Sequence, residues 1–321
     1  MAVGRVNVGG GKVSILSLKD NYVPFKSTLL GQTCVSFSNN YFFQKDGDGG
    51  RCKKYNAKTM ELIENREFPT VYSYSNQNAD IIAINDNVVA LWSAGGNNRY
   101  HILNFDHENG IYSEITTVPN STKKVMADAK NELAFIASGS VVRIVDSGGV
   151  LLSKNITWNG LYVYGAKDLN GDYYILVSYI YTAPYSSNGT RLLKLASNGD
   201  TIFDIEIDST RSIRGLDMHG DHIILGDLKL RDGADGSILK DYSALLSIPL
   251  IDICDISVID NVLAFLSERN FYLINLDKDE VSRKLSFSNN IAYSLFLQNI
   301  MPTSDYIGIH LSGGLVILIK G

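Results

Sequence analysis

The most regular feature of the chain is a polar residue followed by a short, continuous run of apolar residues, and this pattern occurs seven times. The leading polar residues are Asn40, Asn87, Glu132, Asp172, Asp221, Asn261 and Asp305. Subtraction of these positions gives spacings of 47, 45, 40, 49, 40 and 44 residues, so seven copies nearly fill the 321 residues. Apolar runs without alternation are typical of strands that are covered on both faces.

A second pattern follows most of these runs: a strand, a polar turn and another strand. In one copy, residues 141–145 and 150–157 flank a turn with the sequence Asp-Ser-Gly-Gly. The other copies are 51–55 with 60–68, 99–105 with 111–118, 191–195 with 201–208, 228–230 with 237–244, and 271–276 with 280–287. Asn and Asp tolerate the left-handed conformation and Gly adopts it freely, so these turns predict β-hairpins.

The seventh copy is incomplete, because residues 315–320 supply only a third strand before the sequence ends at Gly321. An exposed strand edge favours aggregation, so we expect an apolar strand from residues 13–30 to complete this copy. Four strands in each unit of about 44 residues predict an all-β protein. The expected fold is a β-propeller with seven blades, closed by an N-terminal strand. Six or eight blades are the alternatives, because the unit at 221–260 is compressed.

Two segments define the expected domain organisation. Residues 13–321 show no linker or change in composition, which predicts a single propeller domain. Residues 1–12 form a Gly-rich arm ahead of it.

Composition and charge narrow the function classes. Apolar residues make up 45% and charged residues 20% of the chain, which excludes wholesale disorder. The 29 basic and 34 acidic residues give a net charge of −5 without basic blocks, so nucleic acid is not the expected partner. No signal-peptide pattern and no apolar run of about 20 residues appear, which predicts cytoplasmic synthesis without membrane insertion.

The sequence contains no strong candidate for a metal site. The segments 46–50 and 168–172 place oxygen ligands at alternate positions, as calcium loops do, but in the second segment Tyr173 and Tyr179 occupy the positions where an EF-hand needs Gly and Glu. His219 and His222 lack a third zinc ligand nearby. The three cysteines, Cys34, Cys52 and Cys254, contain no C-x-x-C pair and are expected to be buried free thiols. We therefore expect hairpin turns at both segments, and neither a metal nor another cofactor.

Catalytic motifs are also missing from the sequence. It contains no G-x-S-x-G elbow, no H-E-x-x-H helix and no phosphate-binding loop. The sequence therefore predicts a protein that is not an enzyme.

One longer loop has the composition of a binding site. Tyr179, Tyr181 and Tyr185 lie together with Ser and Thr residues and with Asn188. Tyrosine offers rigid apolar area and one hydroxyl group, while short polar side chains adapt their hydrogen bonds. These four residues are our candidate contacts for a sugar or a protein; packing of the tyrosines between blades is the alternative.

The first eleven residues, Met-Ala-Val-Gly-Arg-Val-Asn-Val-Gly-Gly-Gly, provide a resemblance to a known class. They resemble the opening of tail-fibre and other virion appendage proteins from phages and prophages of Gram-positive bacteria. The resemblance implies a virion protein whose arm docks onto other virion proteins, with Arg5, Val6, Asn7 and Val8 as candidate docking residues. The chain lacks the heptad stalk of a long fibre, which favours a compact tail, collar or baseplate appendage.

These observations together predict a phage structural or appendage protein that displays a propeller for attachment. Its expected location is the virion, its expected ligand is host-surface carbohydrate, and a homo-oligomer on the particle fits the resemblance. A cytosolic protein-interaction propeller is the first alternative. A glycan-active propeller enzyme is the second, and it would require converging carboxylates or histidines at one mouth of the propeller.

Overall fold

The computed structural model describes part of the chain, in short ranges. These are residues 2–8, 11–18, 23–29, 34–45, 51–57, 59–67, 81–93, 99–106, 111–119, 126–128, 130–138, 140–156, 160–180, 188–246, 253–259, 261–267, 270–286, 297–302, 306–311 and 315–320. The chain divides into two compact units, which are described separately. Unit 1 comprises Met1–Gln32, Lys58–Met60 and Ile213–Gly321, and unit 2 comprises Thr33–Ala57 and Glu61–Ser212.

Strands account for nearly all of the described regular structure. In the first half of the chain they are Ala2–Val8 (β1), Gly11–Leu18 (β2), Val23–Leu29 (β3), Cys34–Phe37 (β4), Tyr41–Lys45 (β5), Arg51–Asn56 (β6), Leu62–Glu67 (β7), Ile81–Ala83 (β8), Val88–Ser93 (β9), Arg99–Asp106 (β10), Ile111–Pro119 (β11), Met126–Asp128 (β12), Leu133–Ser138 (β13), Val141–Asp146 (β14) and Gly149–Asn155 (β15). In the second half they are Gly160–Lys167 (β16), Tyr173–Ile180 (β17), Asn188–Leu195 (β18), Thr201–Asp208 (β19), Leu216–His219 (β20), His222–Leu225 (β21), Lys229–Asp232 (β22), Ile238–Asp241 (β23), Ile253–Ile259 (β24), Val262–Ser267 (β25), Asn270–Asn275 (β26), Glu280–Ser286 (β27), Leu297–Pro302 (β28), Tyr306–Leu311 (β29) and Leu315–Lys320 (β30). Ser243–Leu245 form a short 3₁₀ turn. No helix within the described ranges is long and apolar enough to cross a membrane.

Unit 2 is built from four antiparallel sheets of four strands, each in chain order: β4–β7, β8–β11, β12–β15 and β16–β19. The first strands of successive sheets lie against one another, from β4 to β8, β12 and β16. Each predicted apolar run of this unit is the second strand of its sheet, at β5, β9, β13 and β17. The four-strand repeat predicted from the sequence is therefore confirmed.

Unit 1 contains the sheets β20–β23 and β24–β27, and a last sheet in the order β28-β29-β30-β3. In that last sheet, β3 pairs antiparallel with β30, so that Val23 lies opposite Lys320 and Leu29 opposite Leu315. The prediction that an N-terminal strand completes the seventh copy is confirmed. Across both units, the described strands form seven four-stranded sheets. The compressed repeat at 221–260 contains the four-residue strands β21, β22 and β23.

The N-terminal residues form a separate two-stranded sheet in unit 1. β1 pairs antiparallel with β2, from Val8 opposite Gly11 to Ala2 opposite Leu18. β1 lies against β3, and β2 lies against β27. The predicted end of the arm at residue 12 falls within β2.

The core lies between sheets, which explains why the second strands are continuously apolar. In β13, Phe135 and Ala137 belong to a cluster with side chains from β16, β17 and β18. Ala134 and Ile136, on the other face of the same strand, belong to a cluster with side chains from β8, β9 and β10. Because each face meets a neighbouring sheet, polar residues at alternate positions would be buried on one side.

The fourth strand of each of the seven four-stranded sheets contains a bulge that was not predicted from the sequence. In β15, Val150 lies opposite Val145 and Leu152 opposite Ile144, so Leu151 has no opposite residue. The same shift occurs at the corresponding place in β3, β7, β11, β19, β23 and β27. The bulged residues are Phe25, Ile63, Ile115, Leu151, Ile202, Leu239 and Ser282. Such bulges increase strand twist and make an outer edge a poor template for pairing with another chain.

Polar bridges link neighbouring sheets at a spacing of one repeat. In unit 2, Asp86 accepts hydrogen bonds from Ser38 Oγ at 2.6 Å and from Asn40 Nδ2 at 2.7 Å. In unit 1, the buried Asp217 accepts from Ser257 Oγ at 2.9 Å and from the Val258 amide at 2.7 Å. The sequence separations of 40 to 48 residues match the repeat, so polar groups about one repeat apart hold consecutive sheets together, between turns in unit 2 and between first strands in unit 1.

Candidate functional site

The predicted binding loop lies at one end of the sheet β16–β19. It connects β17 to β18, whose last pairs place Tyr179 opposite Gly189 and Ile180 opposite Asn188. The backbones of Tyr179 and Asn188 thus belong to paired strands. Tyr181 and Tyr185 lie outside the described residues. We call this end of the sheet, represented by Tyr179, Asn188, Thr190, Asp208 and Arg211, the β17–β18 end.

A tight turn after β19 places an acidic residue, Asp208, and a basic residue, Arg211, at the same end of the sheet. Asp208, which closes β19, lies opposite Thr190. Its Oδ1 accepts hydrogen bonds from Thr210 N and Thr210 Oγ1, both at 2.8 Å, and from Arg211 N at 3.1 Å. Its Oδ2 accepts from Arg211 Nε at 2.5 Å. An aspartate that binds the amides two and three residues ahead is the standard way to fix such a turn.

Two buried hydroxyl groups tie this turn to the sheet. Thr190 Oγ1 donates to the carbonyl oxygen of Arg211 at 2.9 Å. Ser178 Oγ lies 3.3 Å from Thr190 Oγ1 across the β17–β18 pair. Because the Thr190 hydroxyl donates its only proton to this carbonyl oxygen, it is the acceptor of the hydrogen bond from Ser178 Oγ. The backbone of Arg211 is therefore held against the first residues of β18.

In this turn, the charge of Arg211 is more accessible to a ligand than the charge of Asp208. Burial alone would raise the pKa of Asp208, but the hydrogen bonds from Thr210 and the ion pair with Arg211 outweigh it and hold the pKa below its ordinary value. Asp208 is therefore ionised at neutral pH, and both of its carboxylate oxygens already accept hydrogen bonds. The side chain of Arg211 is 40% exposed against 16% for Asp208. Arg211 binds Asp208 through Nε, and no bond from its terminal Nη groups to another described residue is seen.

Asp208 and Arg211 were not among the site residues predicted from the sequence. The segment Asp208-Ser-Thr-Arg211 does carry the signal of an aspartate-capped turn. The sequence alone does not show that this turn lies at the β17–β18 end, because that placement depends on the pairing of β18 with β19.

The opposite end of the same sheet contains the segment that was considered as a calcium loop. Asp168 Oδ1 accepts from the amides of Asn170 and Asp172, both at 2.9 Å, which makes the segment a hairpin turn between β16 and β17. Lys194 Nζ lies 3.4 Å from Asp172 and 3.9 Å from Asp168. Burial would lower the pKa of Lys194, but Tyr174 and Asp172 outweigh it and raise the pKa. The interpretation as a hairpin turn is confirmed, and a lysine of the chain neutralises its carboxylates. The other segment, 46–50, lies outside the described residues.

The remaining candidates are placed as follows. His219 and His222 lie opposite each other in the β20–β21 hairpin. Within the described ranges, no three His, Cys, Asp or Glu side chains group as metal ligands. Cys52 is a buried free thiol, as expected. The docking candidates Arg5 to Val8 lie in β1, with their backbone paired to residues 11–14 of β2.

Comparison with known proteins identifies the fold of this chain. No protein-family model and no curated protein matches the chain. Among solved structures, the crystal structure of BamB from Moraxella catarrhalis is similar, with a TM-score of 0.53 and 13% sequence identity over 99% of this chain and 94% of that chain. BamB is a β-propeller, and the likeness together with the repeated four-stranded sheets establishes a β-propeller fold here. At this level of identity, the likeness concerns the fold alone.

Proposed function

We propose that this chain is an attachment protein of a phage particle that displays a β-propeller and binds host-surface carbohydrate. The observation that carries the proposal is the β17–β18 end. There, the two strands that the tyrosine-rich loop connects are paired, and the turn that presents Arg211 is hydrogen-bonded to Thr190 in one of them. Rigid strands that support a variable loop are a common arrangement for recognition sites.

The proposed role is binding rather than catalysis. At the β17–β18 end, both oxygens of Asp208 are occupied by donors from its own turn, so this carboxylate is poorly placed to act as a general base or a nucleophile. A rigid, saturated turn suits a surface that positions a neighbouring side chain.

The N-terminal segment supports the virion part of the proposal through its resemblance to phage appendage proteins. In β1, residues 2–8 pair with β2 on one side, and β1 belongs to a sheet of two strands. The proposed docking of Arg5, Val6, Asn7 and Val8 onto the particle would then use a formed hairpin rather than an extended arm.

Binding of the labelled protein to host cells tests the attachment proposal. We expect replacement of Tyr179, Tyr181 and Tyr185 by Ala to remove cell binding while the thermal unfolding midpoint stays within a few degrees of the parent protein. A matched control replaces Tyr41, Tyr55 and Tyr242, which lie elsewhere, by Phe. Cell binding by the triple Ala variant at the level of the parent would contradict the assignment of these tyrosines.

A protein-interaction propeller is a second candidate, and a specific observation favours it. Four bulged residues on outer strands, Ile63, Leu151, Ile202 and Leu239, are about half exposed. Exposed apolar side chains that recur at equivalent positions offer apolar contact area to a protein partner. Genes for capsid, sheath and baseplate proteins next to the gene for this chain would support the phage proposal over this one.

A further inference from the structure

We propose that the β17–β18 end recognises an anionic glycan, one that carries phosphate or carboxylate groups, through the guanidinium group of Arg211. This inference rests on the proposed function, because it names the class of carbohydrate for the same site.

First, the site offers a ligand more free hydrogen-bond donors than acceptors. Asp208 receives four hydrogen bonds from Thr210 and Arg211, which leaves little capacity to accept from sugar hydroxyls. A guanidinium group only donates. The ligand at this turn must therefore supply acceptor oxygens, and charged oxygens accept more strongly than hydroxyl groups do.

The second step is the orientation of Arg211. Its Nε is fixed on Asp208 Oδ2 at 2.5 Å, its amide on Asp208 Oδ1 at 3.1 Å, and its carbonyl oxygen on Thr190 at 2.9 Å. Holding one edge of a planar guanidinium group sets the direction of its other N–H groups. A fixed donor pair matches two oxygens of one phosphate or carboxylate group at a reduced entropy cost.

The third step is the charge around the site. On β19, Asp204 is paired with Arg191, with Nε 2.9 Å from Oδ1. Asp208 itself offsets part of the charge of Arg211. Glu206 is exposed, but it lies opposite Arg191, and the bulged Ile207 separates it from Asp208. The chain as a whole carries −5, so attraction has to come from contact with Arg211 rather than from a long-range field.

The experiment measures binding of three polymers to the full chain: poly(glycerol phosphate), polygalacturonate and neutral dextran. We expect one of the two charged polymers to bind and dextran not to bind. Phosphate and carboxylate are distinguished by which polymer binds. Arg211→Gln should weaken that binding about tenfold, and Arg211→Lys should weaken it less.

Arg51→Gln is the matched control, because Arg51 also forms an exposed pair with a carboxylate, Glu67, at 2.5 Å on another sheet. Equal weakening by Arg51→Gln and Arg211→Gln would overturn the proposal, as would dextran binding as tight as that of the charged polymers. If Arg211→Gln does not fold, Arg211→Lys still decides, since binding by that variant as tight as that of the parent protein contradicts recognition through the guanidinium group.

Failure of this inference is distinguishable from failure of the proposed function. Host-cell binding that is insensitive to Arg211→Gln would overturn the anionic ligand and leave attachment standing. Binding of a charged polymer through Arg211 by a protein that is absent from particles would support the ligand class and overturn the virion role.

Discussion

At the scale of single residues, three aspartates of this protein fix turns but differ in burial and in the number of hydrogen bonds that they accept. Asp168 is 3% exposed at its side chain and binds two amides of its own hairpin turn, close to Lys194. Asp208 binds a turn that directs Arg211 outward. Asp146 accepts one amide, from Gly148 at 2.7 Å, in an exposed turn. We therefore expect the contribution of each carboxylate to stability to follow its burial and its number of donors.

The contribution of Asp168 is testable by substitution. We expect Asp168→Ala to lower the free energy of unfolding by about 3 kcal/mol, because two amides and Lys194 lose a buried partner. Asp146→Ala, the control in an exposed turn, should cost less than about 1 kcal/mol. Urea denaturation of both variants measures the difference, and equal losses would show that burial does not set the contribution of these turns.

At the scale of elements, the sequence predicted the strands that are buried on both faces and the hairpins marked by Asn, Asp and Gly. It did not predict first strands such as β8 and β12, because three residues are too short to show a periodicity. The bulges were missed for another reason. A bulged residue such as Leu151 or Ile202 is defined by what lies opposite it, and pairing is not visible in one strand.

The candidate site shows the same division. The tyrosine loop was visible as composition, whereas the turn at Asp208 and Arg211 became part of the site only through the pairing of β18 with β19. The proposed binding site therefore combines a loop predicted from composition with a charged group that only the strand pairing reveals.

Packing between two sheets of unit 2 depends on one glycine. A Cβ atom on Gly165, in β16, would lie 2.3 Å from ring carbons of Phe135, which is fully buried in β13. We expect Gly165→Ala to lower the free energy of unfolding by about 2–3 kcal/mol, because the ring has to move out of a filled core. Thermal and urea denaturation measure the loss.

Gly148→Ala is the control, because an added Cβ there meets only Asp146 Oδ1 at 3.3 Å in an exposed turn. A smaller ring partner should relieve the strain, so the double variant Gly165→Ala with Phe135→Leu should be more stable than the sum of its single changes predicts. Additive losses would contradict direct contact between these two positions.

At the scale of the whole molecule, the N-terminal segment joins the last part of the chain. β3 supplies the fourth strand of the sheet that contains β28, β29 and β30. β1 and β2 form their own hairpin and lie against outer strands β3 and β27. Removal of these two parts should therefore have different consequences.

Truncation separates the two roles. Removal of residues 1–30 takes away β3 and exposes the edge of β30, so we expect aggregation and loss of cooperative unfolding. Removal of residues 1–20 takes away only the β1–β2 hairpin and should leave a folded protein with a smaller loss of stability. Size-exclusion chromatography and thermal unfolding report both results, and equal damage by the two truncations would contradict the separate roles.

The most direct test of the central claim, a phage attachment protein with a displayed propeller, is cryo-electron microscopy of phage particles from an induced host, with the chain traced in the density. We expect a propeller on the tail, collar or baseplate that is docked through residues 1–12, with the β17–β18 end facing outward. Particles without this chain, with the protein free in the host cytosol, would contradict it.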